Sequence, residues 1–163
     1  MEDPMKKIEK VVVNVGVGRL NQQAGFADKV LPEVMKELAM ITGQKPETRP
    51  ARRSIAGFKS REGQVIGLRI TMHGRRAHDF IRRIINIVLP RVKDFRGLEL
   101  SNVDDGGNLN FGIREHLVFP EISPEHSKVS FGLQVTLVSK NVKDWDQAID
   151  LYRKLGVPLK RNK

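Results

Sequence analysis

Residues 64–72 read Q-V-I-G-L-R-I-T-M. Successive side chains of a strand point to opposite faces, so Ile66, Leu68, Ile70 and Met72 line one side, with Arg69 and Thr71 on the other. Gly74 breaks the strand and the period then changes. From about Ala77 to Val92 the apolar positions Phe80, Ile81, Ile84, Ile85, Val88 and Leu89 follow helical spacing. Arg75, Arg76, Arg82 and Arg83 lie on or beside the polar side, and Pro90 falls in the last turn. A strand with one apolar face that feeds an amphipathic helix describes a sheet covered by helices on one side.

The same grammar extends in both directions. Residues 8–15, I-E-K-V-V-V-N-V, predict a strand with Val11, Val13 and Val15 on one face and Lys10, Val12 and Asn14 on the other. Gly16 and Gly18 end it. Phe26, Val30, Val34, Leu38 and Ile41 predict a helix over about Gln23 to Thr42, with Pro32 allowing a short first turn or a kink near Val30. After Lys93 the chain is loop-rich, through N-V-D-D-G-G-N and P-E-I-S-P-E-H-S-K. Residues 129–138 alternate again: Val129, Phe131, Leu133, Val135 and Leu137 inward, Ser130, Gly132, Gln134 and Thr136 outward. A closing helix over about Lys143 to Leu155 uses Trp145, Ile149, Tyr152 and Leu155. With 163 residues, no repeat and no linker, the expectation is a single α+β domain over 1–163. Its open sheet face carries Asn14, Arg69, Thr71, Gln134 and Thr136.

Charge narrows the function. The net charge is +10. Between Arg49 and Lys93 there are 12 Lys and Arg against only Glu62 and Asp79, while the other 118 residues hold 17 bases and 17 acids. One segment therefore carries the entire surplus, as a polyanion-binding surface does. Its strangest part is R-P-A-R-R-S-I-A-G-F-K-S-R-E-G-Q, a basic loop over about 49–64 with Ile55 and Phe58 in its middle. Arg52, Arg53, Lys59 and Arg61 suit phosphate contacts, arginine forming bidentate pairs. Phe58 either anchors the loop inward or touches a base or sugar.

Other chemistries find little support. There is no cysteine, which removes disulfides, thiolate metal sites and cysteine nucleophiles. G-V-G-R-L-N over 16–21 lacks the third glycine of a dinucleotide loop. His73, His78, His116 and His126 include no close helical metal pair. Asp104 and Asp105 read as turn residues, and Ser54 and Ser60 have no nearby histidine to activate them. No apolar run is long enough to span a membrane, and the N-terminus lacks a secretory apolar region, so a cytoplasmic protein without cofactor is expected. The two aromatic motifs of a sheet that stacks single strands are absent, which favours folded RNA. A free-standing RNA chaperone and a nucleic-acid enzyme are the rival readings.

Four ordered motifs, I-T-G-Q-K-P (41–46), A-R-R-S-I-A-G-F-K-S-R-E-G (51–63), I-N-I-V-L-P-R-V-K-D-F-R-G-L (85–98) and F-P-E-I (119–122), closely resemble the large-subunit ribosomal protein family that carries 5S rRNA, the L-five family. The likeness runs from about Ile8 to Gly156. It implies a mainly antiparallel sheet with helices packed on one face and the open face toward RNA. It also implies a non-enzymatic constituent of the large subunit's central protuberance, beside 23S-type rRNA and neighbouring ribosomal proteins. Carried over by motif, Asn14, Gln44, Arg69 and Thr71 are expected to contact 5S rRNA. Arg52, Arg53, Ser54, Phe58, Lys59 and Arg61 belong to the loop that reaches P-site tRNA. Phe119, Pro120, Glu121 and Lys128 lie in the region that bridges to the small-subunit head. The chain departs from the family pattern in three places. An extra helical segment before the first strand, present in many bacterial relatives, is not seen here. His73 stands where relatives often have arginine, and Asp104-Asp105-Gly106-Gly107-Asn108 stands where many read D-G-R-G-N.

Overall fold

In the computed structural model, which describes residues 2–161, five strands form one antiparallel sheet in the order β2-β3-β1-β5-β4. They are β1 (Ile8–Gly16), β2 (Glu47–Pro50), β3 (Val65–His73), β4 (Leu109–Ile113) and β5 (Leu133–Ser139). The helices are α1 (Leu31–Thr42), α2 (Gly74–Arg83), the single turn α3 (Leu89–Arg91) and α4 (Trp145–Lys154). This is the α+β architecture expected from alternation and helical period. The chain divides into two compact units: Met1–Val12, Thr71–Ile113 and Gln134–Lys163 in one, Val13–Ile70 and Arg114–Leu133 in the other.

In the first unit α2 and α4 bury their apolar stripes over β4 and β5. Phe80, Ile81, Ile84, Leu109, Phe111 and Leu137 are buried around a wholly apolar void of about 10 Å³, too small and too dry to hold a ligand. Asp144 caps α4 by accepting from the Gln147 N–H at 2.8 Å, and the Gln147 side chain accepts from the Lys143 N–H at 3.2 Å. The first bond satisfies a donor the helix start would otherwise leave bare, and the second fixes the residue just before the cap. The buried Tyr152 hydroxyl lies 2.6 Å from the Gly107 carbonyl and 3.2 Å from that of Leu137, pinning α4 to the 104–108 turn and to β5. Burial pushes its pKa well above the ordinary value of 10.0, because the anion would be desolvated. A raised folded pKa adds stability below the unfolded value, lost as pH rises through the folded one. Tyr152→Phe is expected to cost about 1–2 kcal/mol, the worth of a buried hydrogen bond, and to weaken the alkaline loss of stability. Urea titrations at neutral and high pH measure both effects.

In the second unit, α1 buries Val34, Leu38 and Ile41. Both long helical stretches begin or end differently from a continuous α-helix, and a proline explains each case. Phe26–Val30 and Ile84–Val88 are π turns, closed by the Leu31 N–H on Phe26 and the Leu89 N–H on Ile84. Pro32 and Pro90 follow immediately. A proline cannot donate to the carbonyl four residues back, and its ring crowds that group, so a widened preceding turn relieves both problems.

Three boundaries differ from the sequence expectation. The helix expected from Ala77 starts at Gly74, directly after His73, and the chain enters it through a positive φ of 56° at Gly74 that glycine tolerates. The strand expected over 129–138 begins only at Leu133. Residues 129–132 keep their alternation, with Phe131 buried, but they form no strand; the Phe131 carbonyl instead accepts from the distant His116 N–H at 3.1 Å. Ile66, expected inward with Leu68, Ile70 and Met72, is 39% exposed. It sits near the start of β3 and lines an open cleft.

Candidate nucleic-acid interface

The basic loop over 49–64 is an ordered hairpin. β2 and β3 pair antiparallel, with Glu47 opposite Arg69 and Thr48 opposite Leu68. Beyond β2, buried Ala51 donates to Gln64 at 2.8 Å and accepts from the Gly63 N–H at 2.9 Å. Farther out Ile55 and Ser60 bridge reciprocally, at 3.0 and 3.3 Å, around a 3-10 turn Ala56–Phe58. Side chains complete the frame: Ser54 Oγ accepts from the Glu62 N–H at 2.9 Å and Gln64 Oε1 from the Arg61 N–H at 3.1 Å. The backbone is thus satisfied without using a single cation. Arg52, Arg53, Lys59 and Arg61 are all exposed. None has an ion-pair partner among the described residues. Phe58 is 77% exposed and Ile55 45%, so the first of the two sequence readings of Phe58, an inward anchor, is replaced by an outward aromatic.

The residues expected on the open sheet face stand as alternation placed them. Asn14 is exposed on β1, Arg69 half-buried on β3. In the other unit Thr71 and Thr136 are half-buried and Gln134 is exposed. Gln44 follows α1 in a turn in which its carbonyl accepts from Thr42 Oγ1 at 3.1 Å and its N–H approaches that oxygen at 3.3 Å. Sequence reading missed Glu47. Its carboxylate pairs with both Arg69 and Arg49 at 3.1 Å. The hydrogen bond from Arg69, then its charge, holds the Glu47 carboxyl below the usual 4.5. Only the E-T-R-P alternation hinted at this pairing, because Arg69 is distant in sequence and reaches Glu47 through the strand register. The pair tempers two cations of the surplus segment and leaves the hairpin ones bare.

The region 119–128 divides. Phe119 is 1% exposed and acts as an anchor, whereas Pro120 and Lys128 are exposed and Glu121 is half-buried. Beside it lies a buried cluster with no local signal in the sequence. His116 Nε2 is 2.6 Å from Glu37 Oε2 and 3.2 Å from Ser127 Oγ, and Ser127 Oγ donates to the same carboxylate at 3.0 Å. Serine, histidine and glutamate together suggest a hydrolytic triad, but the connectivity is wrong. A relay needs the acid on one ring nitrogen and the nucleophile on the other. Here both meet Nε2, and among the described residues Nδ1 is buried without a partner. The cluster, with His116 stacked on Phe131 at 4.0 Å, is architectural.

The acid pair of the 104–108 turn is also structural. Burial alone would raise the Asp104 carboxyl. Hydrogen bonds from Asn108 and Asn110 outweigh it and hold the pKa below the usual 3.8. Among the described residues no grouping of three His, Asp or Glu could hold a metal ion, and no helix is long and apolar enough to cross a membrane. What remains is a cationic display: the hairpin, and Arg75, Arg76 and Arg82 exposed along α2, with Arg75 3.8 Å from Asp79 and Arg83 over the Phe80 ring at 5.6 Å. Such a surface suits contacts to phosphates.

Comparison with known proteins agrees with that chemistry. The family model for ribosomal protein L5 matches residues 1–61, and the model for the C-terminus of the same ribosomal family matches 65–159. The large ribosomal subunit protein uL5 of Rubrobacter xylanophilus is 44% identical over 164 residues, 99% of this chain and 88% of the relative. That of Halothermothrix orenii is 41% identical over 152 residues, 93% and 82% of the two chains. That of Pseudothermotoga lettingae is 44% identical over 155 residues, 95% and 82%. A polyanion-binding α+β protein with such relatives along nearly its whole length belongs to the uL5 family of large ribosomal subunit proteins, structural and non-enzymatic components of the ribosome.

Proposed function

We propose that this ribosomal protein binds 5S rRNA through Asn14, Gln44, Arg69 and Thr71, reaches P-site tRNA with the hairpin at 52–63, and helps bridge to the small-subunit head through the solvent-facing part of 119–128. Its remaining partners are 23S-type rRNA and the neighbouring proteins of the central protuberance. One observation carries the reading. The segment holding the whole charge surplus displays four cations without an ion-pair partner among the described residues, on a hairpin whose own hydrogen bonds do not need them. Concentrated same-sign charge on an ordered frame raises the local concentration of a polyanionic partner.

Binding of 5S rRNA by several phosphate contacts is expected to weaken steeply with salt, each lost Lys or Arg contact lowering the log–log slope by about one. Filter binding across a salt series measures it, and an affinity indifferent to salt would exclude the mechanism. The polar contacts are tested separately. Asn14→Ala and Thr71→Ala are each expected to weaken 5S rRNA binding by about 1–2 kcal/mol, the cost of a buried hydrogen bond at the interface. Unchanged affinity in both variants would remove the sheet face from the interface.

A further inference from the structure

The turn after β1 and the tip of the hairpin enclose a cleft of about 470 Å³, lined by Arg19, Ile55, Phe58, Lys59, Gln64 and Ile66 among others. Among the described residues five large apolar side chains are exposed, and three of them, Ile55, Phe58 and Ile66, line this one cleft. A soluble chain rarely leaves apolar groups clustered and wet without an occupant. The rim is cationic: Arg19 and Lys59 are exposed and neither has an ion-pair partner among the described residues. Arg19 comes from the G-V-G-R-L-N turn, which found no role as a dinucleotide loop. The turn is itself held in place, since the Val17 N–H donates to Ile66 at 3.0 Å and the Asn21 side-chain amide donates to the Val65 carbonyl. Lys59 is in the left-handed region at φ 51°. That conformation is uncommon outside glycine and asparagine, and it ends the 3-10 turn directly after Phe58.

We propose that this cleft receives one unpaired base of the RNA that the hairpin meets, stacked on the Phe58 ring, with Arg19 and Lys59 on the flanking phosphates. The inference rests on the hairpin's proposed RNA contact and adds a base-binding subsite to it. An aromatic face and two aliphatic walls match the flat, apolar surface of a nucleobase. The two free cations match its phosphodiester, which favours RNA over an apolar protein segment as occupant. A paired base would be shielded from the ring by its neighbours in the stack, so the subsite distinguishes unpaired from paired RNA.

The test compares two labelled probes on the full chain by fluorescence anisotropy at fixed salt: an adenosine hexaribonucleotide, and an abasic hexamer with the same number of phosphates. The intact hexamer is expected to bind about tenfold or more tightly than the abasic one, the usual effect of one aromatic–base stack. Phe58→Ala is expected to abolish that preference and Phe58→Trp to keep it. Phe58 is exposed, so neither change should disturb the fold, which circular dichroism checks. Equal affinity for the two probes, or a preference that survives Phe58→Ala, overturns the subsite. The variant with Arg52, Arg53 and Arg61 all changed to glutamine separates the two claims. If it weakens both probes while Phe58→Ala changes nothing, the subsite falls and the hairpin's phosphate contact stands. If neither variant alters binding, both fall.

Discussion

His116→Ala is expected to lower the stability of the fold by about 3–5 kcal/mol, the effect of truncating a large, fully buried ring together with the loss of a buried hydrogen bond. The side chain is 0% exposed, lies 2.6 Å from Glu37, and stacks on Phe131 at 4.0 Å. Its removal leaves the Glu37 carboxylate, only 9% exposed, with Ser127 as a remaining donor at 3.0 Å, and opens a void where the ring lay. Both losses act together, because a buried polar group with a hydrogen bond removed and unfilled core volume each destabilise. The cluster is what fastens the segment after β4 to α1, so loss of His116 is also expected to loosen 116–131 locally. A urea midpoint measures the first effect and hydrogen exchange of the Phe119 and Ile122 amides the second. Adding Glu37→Leu to the alanine variant is expected to restore part of the loss, since it removes the stranded carboxylate. A midpoint within experimental error of the parent's would contradict the buried geometry.

Neutralising Arg52, Arg53, Lys59 and Arg61 to glutamine is expected to have the opposite profile: an unchanged fold and a large functional effect. These side chains support no part of the hairpin, whose frame is backbone bonding at Ala51, Ile55, Ser60 and Gly63 with help from Ser54 and Gln64. Exposed charge without a partner contributes little to stability. In the contact with tRNA, however, each phosphate contact removed lowers the log–log salt slope by about one, so four contacts lower it by about four. The variant is therefore expected to fold normally, bind 5S rRNA nearly as well as the parent, and lose tRNA-dependent steps on assembled subunits. Thermal melts, filter binding and P-site tRNA retention read these three quantities. Collapse of 5S rRNA binding would move the hairpin to the other interface.

The contrast between these two variants tracks what local sequence can and cannot encode. Alternation and helical period are repeated signals, spread over many residues, and they marked the buried faces at Val11, Val13, Val15, Leu68, Ile70 and Met72, all of which are buried. The same alternation failed to give the burial of Ile66, which is exposed, and the extent of the strand over 129–132, where the in–out pattern persists without strand pairing. Periodicity records which side of a strand is apolar. It does not record where the neighbour stops. The prolines at 32 and 90 signalled helix trouble, but whether the remedy was a kink, a short turn or a π turn depended on the packing of the adjoining residues.

Charge and motif order by themselves determined that this chain carries a polyanion-binding segment and resembles one ribosomal family. Both are properties of composition and linear order, which folding does not alter. Only the tertiary structure decided that Phe58 points into solvent, that Arg69 is shared with Glu47, and that His116, Glu37 and Ser127 form a closed structural cluster. Each of these joins residues through space: Glu37 and His116 are 79 positions apart, and Arg69 meets Glu47 across a strand pair. A hydrogen bond or an ion pair depends on a few ångströms of separation, and chain order over such spans leaves that distance open until the sheet register and the packing of the helices set it.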